Sequence, residues 1–158
     1  MPTHGSTHGS AHGSLASRLD VARIEALIDD RFPQIHAGGR IFAIEEVGGR
    51  SARVRMRRHE SSIRPGGTVS GPAMFTLADF SVYVAIIAAL GEAGIDAVTT
   101  NLNINFLTKP EPRDLISSVR LIRLGRRLAV GEAQLCSEGM SDMVAHAIAT
   151  YALPSTIR

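Results

Sequence analysis

The chain has 158 residues, of which 44% are hydrophobic and 20% charged, and its net charge is +2. This composition is typical of one soluble globular domain, and the scattered arginines exclude a typical nucleic-acid-binding stripe. The single Cys136 excludes an internal disulfide framework and suits a reducing compartment. Because the N-terminus has no basic region followed by an apolar run, we expect no signal peptide, a cytoplasmic location and no membrane partner.

The first 14 residues repeat His-Gly-Ser, starting at His4, His8 and His12. Gly and Ser after each histidine favour flexible coil over a metal-binding helix face. We therefore predict a disordered tail over 1–14 without a functional metal site, and a single folded domain over 15–158. The domain is predicted to begin with a helix over Ser17–Phe32, which Pro33 ends.

From Arg40 the hydrophobic period changes to two, which is typical of strands. Ile41–Val47 and Ser51–Arg57 are predicted to pair as a hairpin through a Gly-Gly turn. Further strands are predicted over Val98–Leu107, Asp114–Leu124, Leu128–Ser137 and Met143–Leu153. Short loops join the later strands, so we expect an antiparallel meander in this part of the sheet.

Between the two groups of strands, the segment from Gly71 to Gly91 is predicted to form one long helix that is apolar on nearly every side. Asp79 and its short polar neighbours interrupt the apolar run, so we expect a buried core helix and not a membrane span. Such a helix needs a sheet around it. We therefore predict an α+β fold, with a curled antiparallel sheet wrapped around one central helix plus the N-terminal helix.

Asp79 is the unusual residue of this helix, because Asp is a poor helix former and a buried charge needs partners. From the helix alone, a paired structural group and a catalytic carboxylate are equally favoured. His146, among the alanines of the last predicted strand, is interpreted as a packed or surface histidine.

The strand predicted from Val98 carries Asn101, Asn103 and Asn105 on one face, although Asn is disfavoured in strands. This ladder is either a polar outer face or subunit contact, or a row of hydrogen-bonding groups near a ligand. We favour the first interpretation for Asn103 and Asn105 and keep Asn101 as a substrate-binding candidate.

The predicted layout resembles the hotdog fold, and motifs around Asp79 narrow the resemblance. Gly66-Gly-Thr-Val-Ser-Gly-Pro-Ala-Met-Phe-Thr-Leu-Ala-Asp79 is similar to a motif of the phenylacetate-pathway (PaaI-like) acyl-CoA thioesterases. That motif runs His-Gly-Gly, several residues, then Leu-Ala-Asp or Leu-Ala-Glu. Asn103-Ile-Asn-Phe-Leu-Thr-Lys-Pro110 resembles the family's strand ending in Phe-Leu-Arg-Pro, and Asp114-Leu and Gly125-Arg match its next two strands. The resemblance covers about residues 40 to 153.

The resemblance implies a hotdog thioesterase that hydrolyses a small, medium or aryl acyl-CoA. No cofactor or metal is expected, apart from coenzyme A as part of the substrate. Asp79 takes the place of the family's catalytic carboxylate, as general base or nucleophile. Gly71 takes the place of the glycine whose N–H polarises the thioester carbonyl, a role that suits a helix N-terminus.

Spacing along the helix separates these two groups. Gly71 and Asp79 are eight residues apart in the sequence, and therefore roughly 12 Å apart along the axis at 1.5 Å per residue. One carbonyl cannot easily touch both. We therefore expect a site shared by two subunits of a homodimer or homotetramer, in agreement with what the resemblance implies.

The chain departs from the family motif in two places. Ser70-Gly71-Pro72 replaces His-Gly-Gly; Ser70 is expected to orient substrate or water, and Pro72 leaves the N–H groups of Gly71 and Ala73 for the oxyanion. Arg64 stands where the family usually has Asn or Gln. It is expected either to pair with Asp79 or to bind an anionic substrate group.

Two further groups of candidates follow from position. Thr76 and Tyr83 share the helix face of Asp79, so each is expected to hydrogen-bond its carboxylate or to line the acyl pocket. Loops and strand ends, where the family usually binds the coenzyme A phosphates, carry four cations. These are Lys109, Arg123, Arg126 and Arg127.

Two alternatives to the thioesterase interpretation stay open. The loss of the motif's histidine favours a non-catalytic acyl-CoA-binding or regulatory hotdog protein. A hotdog hydratase is less favoured, because it needs a histidine and an acid near the helix start, and His59 lies too far upstream of Asp79.

Overall fold

The structure is a computed structural model that describes residues 16–156. The axis of the fold is the central helix α2, Gly71–Leu90. The Ser70 hydroxyl caps its start by accepting the Ala73 N–H at 3.3 Å. Gly91 ends it with a φ of 78°, a backbone conformation that residues other than glycine rarely adopt. The predicted tail over 1–14 lies outside the described residues.

Burial decides between core helix and membrane span. By length and hydropathy alone, Gly71–Asp96 could cross a membrane. In the fold, however, every residue from 80 to 88 is buried against the surrounding sheet and α1. This segment is therefore the core helix of the domain, as predicted.

The sheet has six antiparallel strands in the order β1-β2-β4-β5-β6-β3. In chain order they are β1 Phe42–Gly48, β2 Ser51–Met56, β3 Val98–Phe106, β4 Leu115–Leu124, β5 Leu128–Ser137 and β6 Met143–Ala152. The hairpin β1–β2 and the meander β4–β5–β6 are as predicted, and the predicted hotdog architecture is confirmed.

Strand β3 departs from the expected meander. It pairs with β6 and not with β4, its follower in the chain, and so lies at the edge of the sheet. The segment between β3 and β4 contains Pro110 and Pro112, which suit a crossing segment better than a tight hairpin. As a result β3 keeps one edge without a strand partner within the described chain.

Most residues on the inner faces of β5 and β6 are small, which lets α2 approach the sheet closely. These buried residues are Ala129, Gly131, Ala133, Ala145, Ala147 and Ala149. A methyl group added at Gly131 would lie 2.6 Å from Cγ1 of Val82 in α2. Tyr151 ends the inward row of β6 and is the first large side chain in it.

Helix α1, Val21–Arg31, packs on the outside of α2 and buries Ile24 and Ile28. It starts later than the predicted Ser17, because Asp20 caps it by accepting the Arg23 N–H at 2.8 Å. After α1 the chain makes a short helical turn, Pro33–His36, that was not predicted. This turn and Phe32 close one wall of the cavity described below.

Candidate active site

Asp79 lines a cavity of about 380 Å³ between α2, the end of α1 and the start of β3. Its walls include four aromatic side chains: the rings of Phe32 and Tyr83 meet edge to face at 6.2 Å, those of Tyr83 and Tyr151 stack at 6.3 Å, and Phe80 is the fourth. The cavity is therefore suited to an apolar group held beside one carboxylate.

Both predicted neighbours of Asp79 on α2 line this cavity, but neither binds its carboxylate. The Tyr83 hydroxyl donates to the carbonyl oxygen of Ile95 at 2.7 Å. The Thr76 hydroxyl donates to the carbonyl oxygen of Pro72 at 3.0 Å. Of the two roles expected for these side chains, the structure favours lining the pocket.

Two hydroxyl groups from the sheet hold the Asp79 carboxylate by one oxygen. Thr99 donates to Oδ1 at 2.8 Å, and the Tyr151 hydroxyl lies 2.6 Å from Oδ1 and 2.8 Å from the carbonyl oxygen of Asp79. Within residues 16–156, Oδ2 has no hydrogen-bond partner. An anchored carboxylate with one uncommitted oxygen suits a general base or a nucleophile.

Burial keeps both tyrosines of the cavity protonated. It raises the pKa of Tyr83 to about 12, with a smaller contribution from the charge of Asp96. Burial raises the pKa of Tyr151 well above its ordinary value, and the adjacent Asp79 carboxylate adds a smaller increase. At neutral pH each phenol is therefore a hydrogen-bond donor.

Gly71 lines a second cavity, of about 400 Å³, which shares no lining residue with the first. Arg64 and Lys109 line it too, together with Phe106 at the end of β3. The Gly71 N–H has no acceptor among the described residues, as expected for the first residue of a helix. The Ala73 N–H, by contrast, is already used by the Ser70 cap.

Comparison with known proteins identifies the family. The family model of the thioesterase superfamily matches residues 66–144. A candidate thioesterase from Silicibacter sp. TM1040 is 41% identical, with 90% of this chain and 96% of that chain covered and a TM-score of 0.78. The chain belongs to the thioesterase superfamily. It is accordingly an enzyme of the thioester hydrolase class.

More distant structures share the fold. Thioesterase superfamily member 2 from zebra fish is 20% identical, covering 85% of this chain and 95% of its own, with a TM-score of 0.70. The corresponding protein from Mus musculus is 15% identical, covers 84% and 96%, and has a TM-score of 0.71. Curated proteins gave no significant match.

The predicted cations of this thioesterase divide between the two ends of β3. Lys109 follows the end of β3 and lines the Gly71 cavity. The Arg126–Arg127 turn lies at the other end, because Leu128 and Val98 both pair with Ala152. Arg123 is exposed near that turn, at the end of β4. One protomer therefore does not gather the four cations into one cluster.

Two other predicted residues are placed apart from Asp79. Arg64 lies in the Gly71 cavity and forms no ion pair with Asp79 inside the protomer, and its guanidinium has no carboxylate partner within residues 16–156. Asn101 is exposed on β3 and lines neither cavity.

Thr99 and Tyr151, the residues that hold Asp79, were not predicted from the sequence. For Tyr151 a signal existed: it continues the alternation of Ala145, Ala147 and Ala149, and so had to face inward toward α2. For Thr99 the strand pattern gave no such signal, because a register shift separates it from Asn101 in the pairing with β6.

Proposed function

We propose that this thioesterase is PaaI-like and hydrolyses acyl-CoA thioesters with a small, medium or aryl acyl group, in a site shared by two subunits. The observation that carries the proposal is the Asp79 carboxylate, anchored through Oδ1 and uncommitted at Oδ2, in a cavity with aromatic walls. Phe32, Ile35 and Tyr83 would receive the acyl group.

In this proposal the thioester carbonyl oxygen accepts the Gly71 N–H at the start of α2, where the helix dipole favours developing negative charge. Oδ2 of Asp79 either removes a proton from water that adds to the carbonyl carbon, or attacks that carbon itself. The carbon–sulfur bond then breaks: in the general-base route the leaving coenzyme A takes up the proton removed from water, and in the nucleophilic route it leaves as a thiolate that takes a proton from solvent. In the nucleophilic route, water hydrolyses the resulting anhydride.

The edge strand β3 supports a shared site. Its start, Val98 and Thr99, lines the Asp79 cavity, and its end, Phe106, lines the Gly71 cavity. Both ends are open to solvent, with Val98 62% and Phe106 53% exposed. An uncovered edge strand readily pairs with another chain.

Antiparallel pairing of β3 with a second copy would align the start of one strand with the end of the other. The Asp79 cavity of one subunit would then adjoin the Gly71 cavity of the other. Lys109 of one subunit would also approach the Arg126–Arg127 turn of the other, forming the cationic site for the coenzyme A phosphates. Arg64, which lines the Gly71 cavity, would lie where the two cavities adjoin, and there it could pair with a carboxylate or with an anionic substrate group.

The test is thiol release from a panel of acyl-CoAs by the wild type and by Asp79→Asn. We expect hydrolysis of small, medium or aryl acyl-CoAs and a loss in kcat on the order of 10³-fold or more in the variant, which keeps its affinity for acyl-CoA. Binding of acyl-CoAs without hydrolysis by the wild type would contradict the proposal and favour a binding protein.

A matched pair of substitutions tests the Gly71 N–H. Gly71→Pro removes this N–H at a position where helices accept proline, and Gly71→Ala keeps it. Both add a Cβ near the exposed Phe106 ring, which an alanine methyl would meet at 3.3 Å. We expect Gly71→Pro to lower kcat about 10²–10³-fold below Gly71→Ala. Equal kcat values would remove Gly71 from the mechanism.

A further inference from the structure

We infer that Tyr151 is a positioning residue that determines which oxygen of Asp79 reacts. This inference rests on the proposed role of Asp79 in catalysis. Tyr151 lies outside the segment that matches the family model, which ends at residue 144.

The two donors on Oδ1 leave it little capacity to react. An ionised carboxylate oxygen has about two lone-pair sites, and Oδ1 receives the hydroxyls of Thr99 at 2.8 Å and Tyr151 at 2.6 Å. Oδ2 keeps both of its sites, since the described residues offer it no donor. The sheet thereby directs proton transfer or attack to Oδ2.

Tyr151 also fixes the carboxylate relative to the helix. Its hydroxyl lies within hydrogen-bond distance of both Oδ1 and the backbone carbonyl oxygen of Asp79, at 2.6 and 2.8 Å. The phenol has one proton, which these two acceptors share. A donor between the side chain and its own backbone holds Asp79 in one rotamer and limits rotation of the carboxylate.

The ring of Tyr151 is itself held in place, so its hydroxyl is a preorganised donor. The side chain is 3% exposed and stacks on Tyr83. It is anchored on β6, whose inward alanines let α2 pack closely. A hydroxyl on a rigid sheet can therefore set the position of a carboxylate on the neighbouring helix.

The proposal is tested with Tyr151→Phe, which removes the hydroxyl and keeps the ring. We expect kcat to fall about 10- to 100-fold, because the carboxylate loses one of two donors and its fixed geometry. KM should change much less, since the ring that lines the pocket remains.

Two comparison variants separate positioning from folding. Ser81→Ala removes another buried hydroxyl of the core, which donates to the carbonyl oxygen of Leu77 at 2.6 Å away from the cavity, and should leave kcat unchanged. Tyr83→Phe removes the other phenol oxygen of the cavity, which donates to Ile95 and not to Asp79, so its effect should fall on KM more than on kcat. The remaining ionisable groups that line the cavity, Arg31 and Asp96, are intact in all three variants.

The outcomes are distinct. A Tyr151→Phe enzyme with wild-type kcat, or one whose loss of activity only follows its loss of folded protein, would overturn the inference. If Asp79→Asn is inactive at the same time, the proposed function stands without the role of Tyr151. If Asp79→Asn stays active, the proposed function itself fails.

Discussion

Gly131 sets how closely the central helix approaches the sheet, and Gly131→Ala should therefore destabilise the protein. The added methyl would lie 2.6 Å from Cγ1 and 3.0 Å from Cγ2 of Val82, and 3.4 Å from Cδ2 of Leu121. Val82 is fully buried, and β-branched side chains in helices have one strongly preferred rotamer. Relief therefore requires α2 to move away from β5.

The magnitude follows from two opposing effects. Overpacking a core by one methyl costs about 1–3 kcal/mol. Gly131 does not have a positive φ, so alanine fits the backbone and regains about 0.4–1 kcal/mol from the unfolded chain. We expect a net loss of about 1–2 kcal/mol, or a Tm lower by roughly 2–8 °C for a domain of this size.

Urea unfolding of Gly131→Ala, with Gly38→Ala as control, measures this loss. Gly38 has no atom within 4 Å of an added methyl, so its substitution should be neutral or slightly stabilising. Val82→Ala should cost less in the Gly131→Ala background than in the wild type, because it removes the clash. A Gly131→Ala protein as stable as the wild type, with additive effects of the two changes, would refute this account of the packing.

Other predictions concern the buried hydroxyl of Ser117 and the ion network of Arg55. Ser117 Oγ is buried without a partner among the described residues, so Ser117→Ala should keep or raise the unfolding free energy, by up to about 1 kcal/mol in urea titrations. Arg55 pairs with Glu45, Asp114 and Glu138, and Arg55→Gln should cost about 1–2 kcal/mol at pH 7, between the values for exposed and buried pairs. Burial raises the pKa of Glu45 and of Asp114, but hydrogen bonds hold both pKa values below their ordinary values, and Arg55 donates to both carboxylates. The two carboxylates therefore stabilise the fold above their unfolded-state pKa values near 4, and this stabilisation is lost as the pH falls further. In denaturant titrations between pH 7 and 3, the unfolding free energy of Arg55→Gln should depend less on pH than that of the wild type.

The elements of this fold were largely predictable because their periods are distinct. The all-round apolar helix and the alternating strands define a sheet wrapped around α2, and both are present. The partner of β3 was not predictable in the same way. Periodicity reports which face of a strand is buried, but not which neighbour it pairs with across a crossing segment.

The candidate site was predictable in part. Asp79 was recognisable as a mid-helix carboxylate, whereas Gly71 was predicted from the resemblance to the family motif. The two residues line separate cavities, as expected from their spacing on the helix. The hydroxyls that hold Asp79 come from β3 and β6, far away in sequence. The Ser70 oxygen caps the helix, and its expected role in orienting substrate or water stays a prediction.

The central claim, a site built from two subunits, is tested most directly by mixing two inactive variants. Asp79→Asn and Gly71→Pro chains, each inactive alone, are co-expressed with different tags, and the mixed dimers are assayed for acyl-CoA hydrolysis. Each mixed dimer has one intact site of its two, so the mixed dimers should have roughly half of the wild-type activity, and the unfractionated random mixture roughly a quarter. A mixture no more active than its two parents would show that Asp79 and Gly71 do not act across a subunit interface.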